Sequence, residues 1–166
     1  MKPGQPWEEG FADGLCGSDV FVPVLSKGAL APCAELGASS RCDNVVLEHQ
    51  LALELKHRGD LRAICPVLVG EVEQHPHLDV LHGDFFKGGG KPSCRDEVVA
   101  EVEAKLADHL GRLGKGAPQL PAASRTVQAT LDAILKHQGQ KMMGICTDVV
   151  EKVVAALVRH CRSTWK

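Results

Sequence analysis

The chain has 166 residues, 44% hydrophobic and 24% charged, the proportions of one ordinary globular domain and not of a disordered or fibrous chain. A formal net charge of -2 removes the simplest case for a binder of phosphate backbones, so no nucleic-acid partner is expected. Glu, Lys, Asp or His breaks every apolar run before it reaches the length of a membrane span, so no membrane segment is expected. Aromatics are scarce, with 4 Phe, 2 Trp and 0 Tyr. The core must therefore be built from Val, Leu, Ile and Ala, as in a parallel sheet covered by helices.

In chain order, Trp7, Phe11 and Leu15 recur at four-residue intervals and predict a helix over 7–15, with Glu8 and Glu9 suited to its first turn. The run Val20-Phe21-Val22-Pro23-Val24-Leu25 predicts a strand buried on both faces, with Pro23 marking an irregularity or an edge position. A helix is expected from Asp43 to His57, where Val46, Leu47, Leu51 and Leu55 fall at three- and four-residue spacings. Lys56, His57 and Arg58 suit its last turn, and Gly59 ends it. Ala63 to Val69, closed by Gly70, repeats the aliphatic strand pattern with its own interior proline, so strand, helix and strand form a parallel crossover.

Residues 71–93 form a Pro-, His- and Gly-rich loop of a length that compact domains rarely keep without a purpose. Helical patterns follow at Arg95–Leu110, Thr126–Gln138 and Thr147–Cys161. Gly111, Gly114, Gly116, Pro118 and Pro121 break the first pair, and Gly139 caps the second helix. The division is thus a core over 1–70, a loop over 71–93 and a helical portion or extension over 94–166. Residues 1–93 carry 8 Lys plus Arg and 13 Asp plus Glu, and residues 94–166 carry 11 and 8, a mild asymmetry expected of a solvated mixed surface. Only two strong strands are legible, too few for a sheet that must bury several helices.

The 7 cysteines, at positions 16, 33, 42, 65, 94, 146 and 161, are odd in number and scattered, a poor disulfide framework. No apolar leader follows Met1, and reduced structural thiols in a cytoplasmic setting are the expectation. His75, His77 and His82 cluster without a cysteine pair or a His-Glu-x-x-His arrangement, so no metal site is expected. Gly88-Gly89-Gly90-Lys91 runs into Pro92 and reads as a turn, not a phosphate loop. Ser18 and Ser26 bracket the first strand without a base partner or a Gly-x-Ser-x-Gly elbow.

The order of motifs carries a resemblance. Gly4-Gln5-Pro6-Trp7-x-x-Gly10-Phe11-x-x-Gly14-Leu15-x-x-Ser18-x-Val20-Phe21-Val22-Pro23-Val24-Leu25-Ser26 resembles the middle of a TIR domain, the Toll/interleukin-receptor module of innate-immune signal transduction. Asp43-Asn44-Val45-Val46-Leu47-Glu48-His49-x-Leu51-Ala52-Leu53-Glu54-Leu55 is similar to that family's third helix, and Ile64-Cys65-Pro66-Val67-Leu68-Val69-Gly70 to its fourth strand. Arg125-Thr126-Val127 through Ile134-Leu135-Lys136-His137-Gln138-Gly139 is similar to a segment near the end of some multidomain TIR proteins. The resemblance is close over 4–70 and looser over 71–139.

It implies an α/β, flavodoxin-like fold, with a five-stranded parallel sheet and flanking helices. The family's first strand, first helix and second strand find no counterpart, so an incomplete sheet with extra C-terminal helices is expected. The implied function is a signalling and self-association module, partnered by other TIR domains or by itself, without independent catalysis in this form. Its interaction surface would be Gly4, Gln5, Pro6, Trp7 and Glu8. The alternative is an NAD+ nucleosidase, a hydrolase or cyclase, with Glu48 as catalytic carboxylate. That group would orient a ribose hydroxyl and stabilise the cationic sugar as nicotinamide departs. Asn44, one turn earlier where the family often has an aromatic, would offer a hydrogen bond in place of stacking, and Trp7 and Phe11 would supply apolar contacts or simply core packing. NAD enters as a substrate only, and no cofactor is implied.

Overall fold

A computed structural model describes residues 7–70, 93–137 and 140–143, with 7–9, 27, 68–70 and 140–143 as backbone alone. The elements run α1 (Trp7–Cys16), β1 (Val20–Phe21), β2 (Val24–Ser26), α2 (Lys27–Leu30), a 3-10 turn (Ala31–Glu35), α3 (Asn44–Arg58), β3 (Ala63–Ile64) and β4 (Val67–Gly70). They continue through α4 (Ala100–Arg112), a second 3-10 turn (Ala122–Ser124), α5 (Val127–Lys136) and β5 (Gln140–Met143).

Both aliphatic runs are strands, each interrupted near its proline. β1 pairs in parallel with β3 and β2 with β4 in one unbroken register, Val20 opposite Ala63 and Val24 opposite Val67. Cys65 N donates to Phe21 O and Val67 N to Pro23 O, each at 2.8 Å, so the backbone of Phe21 and Pro23 faces this ladder. Pro23 therefore stands where its nitrogen would donate into the ladder, and one rung is missing. Pro66 lies between two donors to the first strand, so its own nitrogen faces the opposite side. There β5 pairs in parallel with β4 only from Val67, opposite Gln140, onward.

β5 corrects the expectation of two strands. Gln140-Lys141-Met142-Met143 has neither β-branched residues nor apolar alternation, so its strand state comes from pairing along β4 and not from propensity. The strand order is β2-β4-β5, and the described residues thus form a small parallel sheet with helices beside it.

The crossover helix α3 is placed by its ends. Asp43 caps it, accepting from Val46 N at 3.0 Å, and Gly59 closes it at φ 79, a left-handed conformation that glycine adopts freely. Every residue from Val46 to Leu55 except Glu48 is buried, so the helix is enclosed nearly all round and does not bear a single apolar stripe. It packs against α1, α4, α5 and β3, and one hydrophobic cluster joins Leu15, Leu25, Leu47, Leu51, Leu106, Leu131 and Ile134.

α4 begins at Ala100, five residues after the predicted start at Arg95. The intervening polar groups are committed elsewhere: Cys94 N donates to Gln128 Oε1 at 2.9 Å, Thr126 Oγ1 donates to Asp96 Oδ1 at 2.7 Å, and Glu97 Oε2 accepts from Ala38 N at 2.8 Å. These tertiary bonds hold 94–97 outside the helix. Gly111 falls inside α4 and not in the break after it. α5 is capped by Thr126, which accepts from Ala129 N at 3.1 Å. The loop at 71–92, the cap at Gly139 and the helix expected over 147–161 lie outside the described residues. Among those described, no helix is long and apolar enough to cross a membrane.

Candidate functional site

Glu48 is the one residue of the 46–55 stretch of α3 that is not buried, and it lines a pocket of about 240 Å³. Phe11 and Leu15 reach this pocket from α1, Ser18 from the turn, and Val20 and Phe21 from β1. The parallel crossover explains the meeting: α3 returns the chain beside β1, and α1 packs on α3. Burial is the main cause that raises the Glu48 carboxyl above its ordinary range, with the Asp43 carboxylate as a second. The lining is otherwise apolar except for Ser18, whose hydroxyl donates to Gly14 O at 2.6 Å. Ligand pockets for drug-sized molecules run to roughly 300–1,000 Å³. At about 240 Å³ this one falls below that range.

α3 also carries buried polar atoms on residues near Glu48 in sequence. His49 is 2% exposed, and neither ring nitrogen has a hydrogen-bond partner among the described residues. Its ring meets that of Phe21 edge-on at 5.8 Å and 73°. Burial pushes its pKa down to about 4; the Val45 carbonyl, outside hydrogen-bond geometry, and Asp43 oppose the shift. Asn44 Oδ1 and Gln50 Oε1 are likewise buried without a partner among the described residues.

Of the residues predicted from the sequence, the structure brings Glu48 and Phe11 together in the pocket. Phe11 also meets His109 of α4 edge-on at 6.0 Å, which ties the pocket wall to the core. Asn44 begins α3 but is not among the residues lining the pocket. Trp7 and Glu8 open α1 and are described as backbone, and Gly4, Gln5 and Pro6 lie outside the described residues. Sequence reasoning missed Leu15, Ser18, Val20 and Phe21 as pocket residues. Phe21 had a signal, since it is the aromatic of the strand that opens the crossover to the helix bearing Glu48.

The described cysteines 16, 33, 42, 65 and 94 are free thiols. Burial pushes Cys33 up to about 12, with Asp43 and Cys94 adding to the shift, so it is no nucleophile at neutral pH. Among the described residues, no three His, Cys, Asp or Glu converge on a metal-sized site; His75, His77 and His82 lie outside them. No protein-family model, curated protein or solved structure matches the chain.

Proposed function

We propose that the chain is a TIR-like signalling module that works by self-association in the cytoplasm. The observation that carries this reading is the parallel crossover itself. A strand, a helix beginning at the Asp43-Asn44 motif and a second strand lie side by side, with a third parallel strand beyond, in the order β2-β4-β5. Three adjacent parallel strands in chain order are what one half of a flavodoxin-like sheet requires. The test is sedimentation over micromolar concentrations. Concentration-dependent oligomers that weaken in Trp7→Ala/Glu8→Lys support the reading, and oligomers indifferent to that pair count against the surface.

A second reading, an NAD+ nucleosidase, is favoured by one specific observation: Glu48 and two phenylalanines line the same pocket, and burial raises the carboxyl. An ionised Glu48 accepts a ribose hydroxyl proton in a hydrogen bond and stabilises a developing positive charge, while Phe11 and Phe21 keep water from the reacting carbon. Nicotinamide release from NAD, measured over the same concentrations, separates the readings. Release that Glu48→Gln lowers by 10²-fold or more supports catalysis. Absence of release at every concentration leaves the module reading alone.

A further inference from the structure

The pocket at Glu48 has a one-sided chemistry. Its walls are aliphatic and aromatic, with Phe11 and Leu15 from α1 and Val20 and Phe21 from β1. Each ring is anchored edge-on by a histidine, Phe11 by His109 at 6.0 Å and Phe21 by His49 at 5.8 Å. The polar side chains of the lining, Glu48 and Ser18, offer acceptors only. An ionised carboxylate has no donor, and the Ser18 hydroxyl already gives its hydrogen to Gly14 O at 2.6 Å. Among the described residues no cation or hydrogen-bond donor meets Glu48, and the one charge that acts on it is a second carboxylate, that of Asp43. Asp43 is itself occupied, accepting from Val46 N at the cap of α3. The site is therefore negative, supplied with acceptors and otherwise apolar, so whatever completes it must bring both charge and donors.

We propose that this pocket binds a small alkylammonium ion, its nitrogen on the Glu48 carboxylate and its hydrocarbon against Phe11, Phe21 and their aliphatic neighbours. The lining separates this ligand from its competitors. A hard divalent metal asks for about six oxygen ligands, and among the described residues no three His, Cys, Asp or Glu converge. An anion would meet two carboxylates. A neutral hydrocarbon would fill the walls but leave Glu48 without a partner. An alkylammonium answers every part of the site. Its N–H groups make charge-assisted bonds to the acceptors, its charge is drawn to aromatic faces, and its chain buries against the aliphatic wall. It keeps its charge at neutral pH, as a lysine side chain does, and its presence favours the ionised form of Glu48. The proposal uses the pocket of the nucleosidase reading but not its reaction.

The test is an NMR titration of the full chain at about 0.15 M salt, which screens surface charge, with butylammonium, butanol and butyrate as probes. Butylammonium is expected to bind saturably in the millimolar range and to shift the amides of Phe11, Phe21 and Glu48. It should bind about tenfold or more tightly than butanol, and butyrate should not bind. Glu48→Gln is expected to abolish the preference for the cation. No saturable shift in the wild type overturns the proposal, as does equal affinity for butylammonium and butanol, or a preference that survives in Glu48→Gln. Sedimentation with and without butylammonium then identifies the source of the amine. Oligomers that dissociate assign it to a lysine of a second copy, and an unchanged profile assigns it to a free amine. Nicotinamide release without ammonium binding overturns this proposal alone, and ammonium binding without release overturns only the nucleosidase reading.

Discussion

The two ends of α3 treat buried polar groups in opposite ways. Toward its C-terminus Glu54 is 0% exposed and saturated: it accepts from Gln119 N at 3.1 Å, Leu120 N at 2.7 Å and Arg58 Nε at 3.3 Å. Arg58 in turn donates to Lys115 O at 2.7 Å and Ala117 O at 2.6 Å. Arg125 extends the set, bonding Glu103 through two nitrogens and the carbonyl of Leu120. At the other end Asn44 Oδ1 and both nitrogens of His49 are buried without partners among the described residues, and Glu48 is half-buried. Gln50, midway along the helix, leaves Oε1 unpaired there but donates from Nε2 to Arg125 O at 2.7 Å and Thr130 Oγ1 at 3.3 Å. A buried polar atom left unmade costs about 1–3 kcal/mol. The saturated end therefore serves architecture, holding the α4–α5 loop onto the helix. The N-terminal end has no comparable network among the described residues, so it contributes less to holding the fold.

The contrast breaks first at Glu54. Glu54→Ala removes the counter-charge of Arg58 and leaves two backbone N–H groups without their acceptor, and a loss of about 3–5 kcal/mol is expected from urea unfolding. Glu54→Gln keeps acceptance from one N–H and is expected to lose less. If both are neutral, the saturated end is not architectural and the comparison fails.

His49 gives the next largest effect, read against pH. Its pKa falls from 6.5 to about 4 on folding, so between these values the native state binds fewer protons than the unfolded chain. Stability should decline as the pH falls through that window, by on the order of 3 kcal/mol at its full extent. Carboxylates titrate nearby, so the useful quantity is the difference between the wild type and His49→Leu. That variant is expected to flatten the profile between pH 6.5 and 4. Parallel profiles would mean that His49 finds a proton acceptor in solution.

Little of this division was legible in the sequence. The helix over 44–58 was, because Asp43, Gly59 and the basic last turn are local signals, and the aliphatic strands were, because burial on both faces leaves a run with no polar alternation. β5 was not, since Gln140-Lys141-Met142-Met143 takes its conformation from a neighbour distant in sequence. The saturation of Glu54 was equally hidden: its acceptors' donors are backbone groups at 119 and 120, which no residue type announces. Glu48 was found by motif and Phe11 by spacing, yet the pocket between them needed Phe21 and Val20, whose strand pattern reads as core.

A smaller effect sharpens the architectural side. Thr126 both caps α5 and donates to Asp96, which ties the segment before α4 to the start of α5. Thr126→Ala is expected to destabilise by about 1–2 kcal/mol, more than Thr126→Ser, which keeps both bonds. Equal losses in the two variants would assign the effect to the methyl group and not to the cap.

The smallest shift bears most directly on the site. The Glu48 carboxyl is raised above its ordinary range, so at neutral pH the ionised group is less favourable in the folded chain than in the unfolded one. The sign follows: this residue's contribution is most favourable below the unfolded carboxyl range and is lost as the pH rises through the raised folded value. Glu48→Gln removes the charge at nearly constant shape, so it should melt slightly higher than the wild type at pH 7. The advantage should shrink as the pH falls below the ordinary carboxyl range, where the wild-type side chain is protonated in both states. A residue placed for packing alone would leave the variant equal or lower throughout. A gain in stability on removing the charge, together with loss of whatever the pocket binds, is the pattern of a group held in place for function at the expense of the fold.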